Sequence, residues 1–277
     1  MQPNLTIINV LTPFIVVRKV YLLLVIAMLA CLGCEWHLRS NEETSEELPL
    51  TIDRYDMIES LYLTTGDYSA LLQMNKSYPM QTRMLIEDVL RIGQVNDPDI
   101  NHKFFHFFKD STLQSLIVDV QEQFADLDDL NKELTDAFRR LRDAIPTLEI
   151  PQIYAQIGSF DQSIIVGNKT LGISLDKYLG ADYPFYIEHY TAEQRRLMTR
   201  SMITPDCLGF YLLSLYPLQE KEPTPEMRHR HMGKIQWVVN QVTKQRVFKN
   251  SHVEAIDSFM KHHKDVNIEQ LLHDTSY

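Results

Sequence analysis

The sequence predicts a single helix-dominated α+β domain with a small central β-meander. Apolar residues recur at helical spacing over residues 52–145 and again beyond residue 184. Short β-branched runs separated by turn residues lie between these two regions. Hydrophobic residues make up 44% of the 277 residues and charged residues 23%, as in ordinary globular proteins. We therefore expect residues 51–277 to share one core.

The N-terminus has the layout of a signal peptide. Arg18 and Lys19 precede a run from Val20 to Gly33 that carries no charge. This run is too short for a transmembrane helix, which needs about twenty apolar residues. Residues 1–33 are therefore predicted to be a signal peptide, with residues 1–16 upstream of an expected start at Val17.

The end of this run predicts a lipid anchor. Leu32-Gly33-Cys34 resembles a bacterial lipobox, in which the cysteine receives the lipid, and Cys31 is the fallback site. An ordinary secretory signal and an uncleaved anchor are the alternatives. Acylation at Cys34 would hold the protein on a membrane of the cell envelope. The acidic residues 34–50 are predicted to be a tether between the lipid and the domain.

Helices are predicted throughout the first half of the domain. The clearest pattern covers residues 127–145, where apolar residues step by three and four positions. Acidic residues begin this segment, arginines end it, and Pro146 follows, which suits a helix dipole. Two further helices are indicated by the apolar sets Leu85, Val89, Ile92 and Leu116, Val120, Phe124.

Three strands are predicted in the runs IPQIYAQIGSF, QSIIVG and NKTLGISL. Gly167-Asn168 marks a hairpin between the last two strands. After Leu175 the helical pattern returns. We expect helices near 184–190, 192–202, 205–216, 225–247, 251–263 and 267–274.

Composition and motifs exclude several functional classes. The chain has 27 Lys and Arg against 37 Asp and Glu, a net charge of −10, which argues against a nucleic-acid partner. It lacks G-x-x-x-x-G-K-[ST], G-x-G-x-x-G and G-x-S-x-G motifs. Cys207 lies in an apolar helix and is predicted to be a core thiol. We therefore predict no catalytic residue and no cofactor.

The spacing of the histidines can also indicate a metal site. His102 and His106 have the i, i+4 spacing of a zinc helix, but Lys103 stands where a metalloprotease needs glutamate. His229 and His231 diverge on a helix because they are two residues apart. The sequence therefore predicts no metal and no enzyme. The competing hypothesis is a divergent metallohydrolase that uses His229 or His231 with carboxylates from elsewhere.

The segment from Leu175 to Tyr186, LDKYLGADYPFY, is similar to a turn of the gliding-motility lipoprotein GldB family of Bacteroidota envelopes. Further matches are Asp53-Arg54-Tyr55-Asp56, Gly158-Ser159-Phe160 and Met232-Gly233-Lys234-Ile235. The resemblance spans about residues 50–240. It implies a non-catalytic envelope lipoprotein that serves as a binding or accessory component of a gliding or secretion-type assembly. The C-terminal tail departs from the family pattern, so a non-gliding member that keeps the envelope scaffold is equally open.

The layout also resembles zincin-like metallopeptidases, in which an H-E-x-x-H helix precedes a second helix that begins with Glu-Gly. The corresponding segments here are ITPDCLGFYLLSLYP and HMGKIQWVV. Met232 stands where that glutamate is expected, and no histidine pair lies between Ile203 and Pro217. The resemblance therefore implies a zincin-like fold without its metal ligands.

The aromatic turn is the predicted contact surface. Asp176 is expected to be an N-cap, and Gly180 to adopt a positive φ. Two interpretations remain for the tyrosines: rings that pin a loop to the core, or a surface for another envelope protein. The residues assigned to that surface are Asp176, Lys177, Tyr178, Gly180, Asp182, Tyr183 and Tyr186.

Overall fold

The computed structural model describes residues 49–273. The predicted signal peptide, both candidate lipidation cysteines and nearly all of the acidic tether lie outside the described residues. No helix within residues 49–273 combines the length and apolar character needed to cross a membrane.

Helices surround one small sheet, as predicted, which confirms the α+β fold class. Within residues 49–273, six helices precede the sheet: α1 Tyr55–Thr65, α2 Tyr68–Ser77, α3 Pro79–Met84, α4 Ile100–Phe107, α5 Ser111–Gln123 and α6 Asp128–Ala144. A π-helical turn, Leu85–Val89, continues α3. Six follow the sheet: α7 Pro184–His189, α8 Ala192–Arg195, α9 Ile203–Leu215, α10 Pro225–Thr243, α11 Ser251–His262 and α12 Ile268–His273.

The predicted helix over 192–202 is wrong in its second half. Helix α8 ends at Arg195, and a 3-10 turn covers Arg200–Met202. The intervening chain pairs with the segment after β3 instead. Gly180 donates its N–H to the carbonyl of Met198, and Leu179 forms a β-bridge with Thr199.

The sheet contains β1 Gln152–Gln156, β2 Ile164–Gly167 and β3 Thr170–Ser174. Its order is β1-β3-β2, with β1 parallel and β2 antiparallel to β3. The prediction of a meander is therefore wrong, because consecutive strands β1 and β2 are not neighbours. The β2–β3 hairpin is confirmed, although its turn lies at Asn168-Lys169, one residue later than predicted, with Lys169 at φ 59°.

The core lies between the sheet and the helices that flank it. Helix α1 packs against β1, and α9 packs against β2 and β3. The predicted apolar faces of α5 and α6 are buried, including Leu116, Val120, Leu134 and Phe138 at 0% exposure. This packing places the end of β3 and the loop after β1 between α1, α5 and α7.

Candidate functional site

Asp176 lies two residues after the end of β3 and is fully buried. Its Oδ1 accepts the N–H of Gly158 and its Oδ2 accepts the N–H of Phe160, both at 2.6 Å. The N-cap prediction is therefore wrong: no side-chain cap closes the short Leu175–Lys177 turn, and the carboxylate binds the loop after β1. Burial raises the pKa of Asp176 to about 6, against the lowering effect of these N–H groups.

The loop that Asp176 holds is strained. Ser159 and Phe160 both have positive φ, 51° and 66°, a region that costs side-chain-bearing residues about 1–2 kcal/mol each. Lys177 also holds this loop, because its Nζ donates to the carbonyl of Phe160 at 3.0 Å. Its ammonium also lies 4.7 Å from the ring centre of Tyr190. The adjacent Asp-Lys pair therefore fixes a loop conformation that the chain alone disfavours.

The hydroxyl groups of the turn tyrosines make hydrogen bonds within the fold. The hydroxyl of Tyr178 donates to Asp206 Oδ2 on α9 at 2.8 Å, and that of Tyr183 donates to Asp119 Oδ2 on α5 at 2.8 Å. The Tyr186 hydroxyl donates to the backbone carbonyl of Asp176. Burial raises the pKa of all three phenols. These bonds anchor the turn to two helices.

The predicted contact surface is therefore corrected at three of its positions. Asp176, Tyr178 and Tyr186 are at most 1% exposed, so their side chains contact the core. The other residues of that set, Lys177, Gly180, Asp182 and Tyr183, retain solvent exposure. Asp182 is 99% exposed at its side chain. The positive φ predicted for Gly180 is confirmed at 112°.

The Asp53-Arg54-Tyr55-Asp56 motif joins the sheet to two helices. Asp53 pairs with β1, since its N–H donates to the Ile153 carbonyl at 2.8 Å. Arg54 makes a two-pronged ion pair with the buried Asp56, at 2.9 and 2.8 Å. The same guanidinium donates to the carbonyls of Phe124 and Ala125 just beyond α5. The motif thus stabilises the packing of α1 against the end of α5.

Glu59 is a buried acid that sequence reasoning missed. Its Oε2 accepts the Ile157 N–H at 2.9 Å, whereas its Oε1 has no hydrogen-bond partner among the described residues. Burial raises the pKa of Glu59 well above its ordinary value, and the charges of Asp56 and Asp176 raise it further. Glu59 therefore holds a proton under conditions in which an exposed glutamate has lost it. Other buried side-chain atoms without a hydrogen-bond partner among the described residues include Ser60 Oγ, Tyr154 Oη and Gln156 Oε1.

An open groove lies between α5 and α7 beside Tyr183. Its volume is about 1070 Å³, and hydroxyl, carboxylate and aromatic side chains line it. The lining residues are Ser111, Thr112, Ser115, Asp119, Glu122, Gln123, Tyr183, Pro184, Phe185, Glu188 and His189. None of these described residues is Lys or Arg, so the groove is acidic. We call this feature the α5–α7 groove.

The histidines that were considered as metal ligands lie in three separate places. His102 and His106 are exposed, and their rings stack at 5.7 Å. His231 is half-buried, which lowers its pKa, and it lies with Tyr216 and Glu220 in a separate small pocket. His229 is exposed beside His252, with ring centres 5.5 Å apart, and Glu226 completes this group. Sequence spacing could not bring His252 to His229, because the two lie on different helices.

The positions suggested by the zincin-like resemblance hold no clustered ligands among the described residues. Cys207 on α9 is 0% exposed, as predicted for a core thiol, and burial raises its pKa. Met232 on α10 is 38% exposed. Helix α9 contains no histidine.

These features define a class: a helix-rich α+β domain whose central turn is fixed by buried carboxylates and hydrogen-bonded tyrosines. Residues 38–247 match the family model of the gliding motility protein GldB, and the chain belongs to this family. The resemblance inferred from LDKYLG is thereby confirmed. The family name refers to gliding motility and to a lipoprotein. No curated protein and no solved structure gives a significant match.

Proposed function

We propose that this protein is a lipid-anchored component of the cell envelope that binds another envelope protein and has no catalytic role. Family membership supports a place in a gliding or secretion-type assembly. The observation that supports a binding role is the α5–α7 groove. Its acidic lining favours a cationic segment of the partner.

The carboxylates of the groove come from both of its walls. Asp119 and Glu122 extend from α5, and Glu188 extends from α7. With no Lys or Arg in the described lining, the three acids create a negative potential that attracts and orients a positively charged partner. The groove is open to solvent, so lysine or arginine side chains can enter it without crossing the core.

The aromatic side chains of the groove are held before any partner arrives. Phe185 stacks on Phe160 with a ring separation of 4.0 Å and an angle of 7°. Tyr183 is fixed by its hydrogen bond to Asp119. Rigid rings lose little conformational entropy on binding, and a guanidinium or ammonium is attracted to their faces. The strained loop that Asp176 and Lys177 hold thus contributes Phe160 as the support for this surface.

Exposed apolar residues extend the surface along the same two helices. Val118 on α5 is 56% exposed and Ile187 on α7 is 55% exposed. Apolar side chains beside acidic groups suit a partner segment that alternates basic and hydrophobic residues.

The buried acids support a non-catalytic role because they make structural contacts within the core. Asp56 neutralises Arg54, and Asp176 binds two backbone N–H groups. Glu59 and Asp176 are 0% exposed. A substrate would have to open the core to reach them, whereas a partner reaches the groove directly.

The groove is tested by photo-crosslinking in native membranes, with a photoreactive phenylalanine derivative in place of Ile187. We expect one discrete adduct with an envelope protein that carries a cationic segment. The double charge reversal Glu122→Lys with Glu188→Lys should reduce this adduct by roughly tenfold or more, because like charges across an interface cost several kcal/mol.

The matched control is Glu193→Lys with Glu222→Lys. Both positions are exposed, lie outside the groove and give the same change in net charge. This control should leave the adduct intact. An adduct that survives the groove reversal as well as it survives the control would contradict the proposed surface.

The lipid anchor gives a second prediction. Cells supplied with labelled palmitate should incorporate label into the wild-type protein and into Cys31→Ser, whereas Cys34→Ser should lose all of it. Intact mass measurement should give a triacylated chain that begins at Cys34. Label that is lost only in Cys31→Ser would move the anchor to the fallback site, and an unlabelled wild-type chain would reject lipidation.

A further inference from the structure

We propose that Glu226, His229 and His252 bind one divalent transition-metal ion, with Zn²⁺ the best match, on the surface between α10 and α11. Each residue offers one ligand atom, and these atoms all lie within 4.8 Å of one another. The inference is independent of the α5–α7 groove, since it concerns different helices and a different ligand.

The geometry is close to that of a zinc site. Imidazole nitrogens and carboxylate oxygens lie about 2.0–2.2 Å from zinc, which places tetrahedral ligands about 3.4 Å apart. The side chains of Glu226 and His229 are exposed and that of His252 is half-buried. The ligand atoms would therefore have to move closer together, by rotation of these surface side chains, to close around an ion.

Local sequence fixes the two helix starts that carry the ligands. Glu226 and His229 have i, i+3 spacing and share one face of α10. Thr224 caps α10, because its Oγ1 accepts the Met227 N–H at 3.2 Å. Asn250 caps α11 by accepting the N–H of His252 at 3.1 Å.

Gly233 allows the two helices to approach each other at this point. A Cβ on Gly233 would lie 2.7 Å from the Cβ of His252 and 3.2 Å from its carbonyl carbon. Gly233 is one helical turn beyond His229, so this close approach sets His252 opposite His229. Asn250 strengthens the approach, since its Nδ2 donates to Gln236 Oε1 on α10 at 2.8 Å.

The donor set identifies the class of ion. Two imidazoles and one carboxylate suit zinc and similar transition metals, whereas calcium and magnesium prefer oxygen ligands alone. Three protein ligands leave positions for water. Helix N-termini carry partial positive charge that opposes a cation, and Glu226 supplies a compensating negative charge.

The two neighbouring arginines take part in other features of the surface. The guanidinium of Arg228 donates to the carbonyl of Pro223 at 2.6 Å. Arg230 lines the separate pocket that contains His231. The cluster is also distinct from the position of Met232, at which the zincin-like resemblance expects a glutamate ligand.

The test uses the full chain in detergent, stripped of metal and then titrated with Zn²⁺. We expect one ion per chain by calorimetry and a rise in Tm on zinc addition, since a ligand that binds only the folded state stabilises it. Loss of a residue that only supports a metal ligand typically weakens binding about 10–100-fold. Glu226→Gln, His229→Ala and His252→Ala each remove a ligand, so each should weaken zinc binding by more than this.

The matched control is His106→Ala, which removes an exposed histidine from the stacked pair with His102. This control should bind zinc like the wild type. Glu226→Gln keeps the side-chain shape at an exposed position, so the test stands even if a histidine variant fails to fold. Absence of stoichiometric zinc binding, or binding lost in His106→Ala and kept in His252→Ala, would overturn the proposal.

Discussion

Replacing Glu59 by glutamine is expected to stabilise the protein, and the gain should grow as the pH rises above about 4.5, the ordinary pKa of a glutamate. Glutamine matches the size of the protonated acid, and its amide oxygen can accept the Ile157 N–H that Oε2 accepts now. The substitution therefore keeps the neutral form of the side chain and removes its ionisation.

The direction follows from the raised pKa of Glu59. The folded state holds this proton more tightly than the unfolded state does. The contribution of Glu59 to the unfolding free energy of the wild type is therefore greatest at low pH. It declines as the pH rises from the unfolded pKa toward the folded pKa, by about 1.4 kcal/mol per pH unit. Glutamine does not titrate, so the difference between the two unfolding free energies should climb along this slope.

Urea denaturation of the full chain at a series of pH values measures this difference. The pH at which the difference levels off gives the folded pKa of Glu59. Exposed Glu222→Gln is the control and should change stability by less than about 0.5 kcal/mol throughout. A flat difference for Glu59→Gln would mean that the buried carboxyl is ionised in the folded protein.

The helices were the part of the fold that local pattern could predict. In α6 the buried residues Leu130, Leu134, Phe138 and Leu141 follow the helical period closely, and Pro146 sits just past its end. Helix burial depends on residues three or four apart, which are close in the sequence. The spacing of apolar residues in such a segment is therefore sufficient to indicate its structure.

Strand order could not be predicted in the same way. The pairing of β1 with β3 joins strands that are separated by a loop and by β2, and Asp176, beyond the end of β3, holds that loop. A contact between residues 18 positions apart leaves no periodic signal. The β2–β3 hairpin was predictable because its turn residues lie between its strands.

Only part of the candidate site could be predicted from the sequence, for the same reason. The turn around Asp176 was located by its similarity to a family, yet its N-cap role was inferred from neighbouring residues and failed. Glu59 lies on the same helical face as Tyr55 and Tyr62, so its place on a buried face was the available signal. Ile157, which donates to Glu59, and Asp176, whose charge raises its pKa, are about a hundred residues away, and no local pattern reveals them.

Asp176→Ala is expected to cause the largest loss of stability of any single change in the turn. The substitution leaves the buried N–H groups of Gly158 and Phe160 without acceptors. Each unpaired buried donor costs about 1–3 kcal/mol, so the unfolding free energy should fall by about 2–6 kcal/mol. This loss is expected at about pH 4, because at higher pH the raised pKa of Asp176 already lowers wild-type stability and its removal offsets part of the loss. The positive-φ residues Ser159 and Phe160 also lose the contact that holds their strained conformation. Phe185, which stacks on Phe160, should then become more mobile.

Two companion variants separate the hydrogen bonds from the charge. Asp176→Asn keeps one accepting oxygen and places an amide donor against the other N–H, so its loss should lie between those of the wild type and alanine. Asp182→Ala removes an acid from the same turn that is 99% exposed and should change stability by less than about 0.5 kcal/mol. Urea unfolding of the full chain ranks the three. If Asp176→Ala unfolded at the same urea concentration as Asp182→Ala, Asp176 would not be the residue that holds the loop, and another contact would have to secure Phe160 beneath the α5–α7 groove.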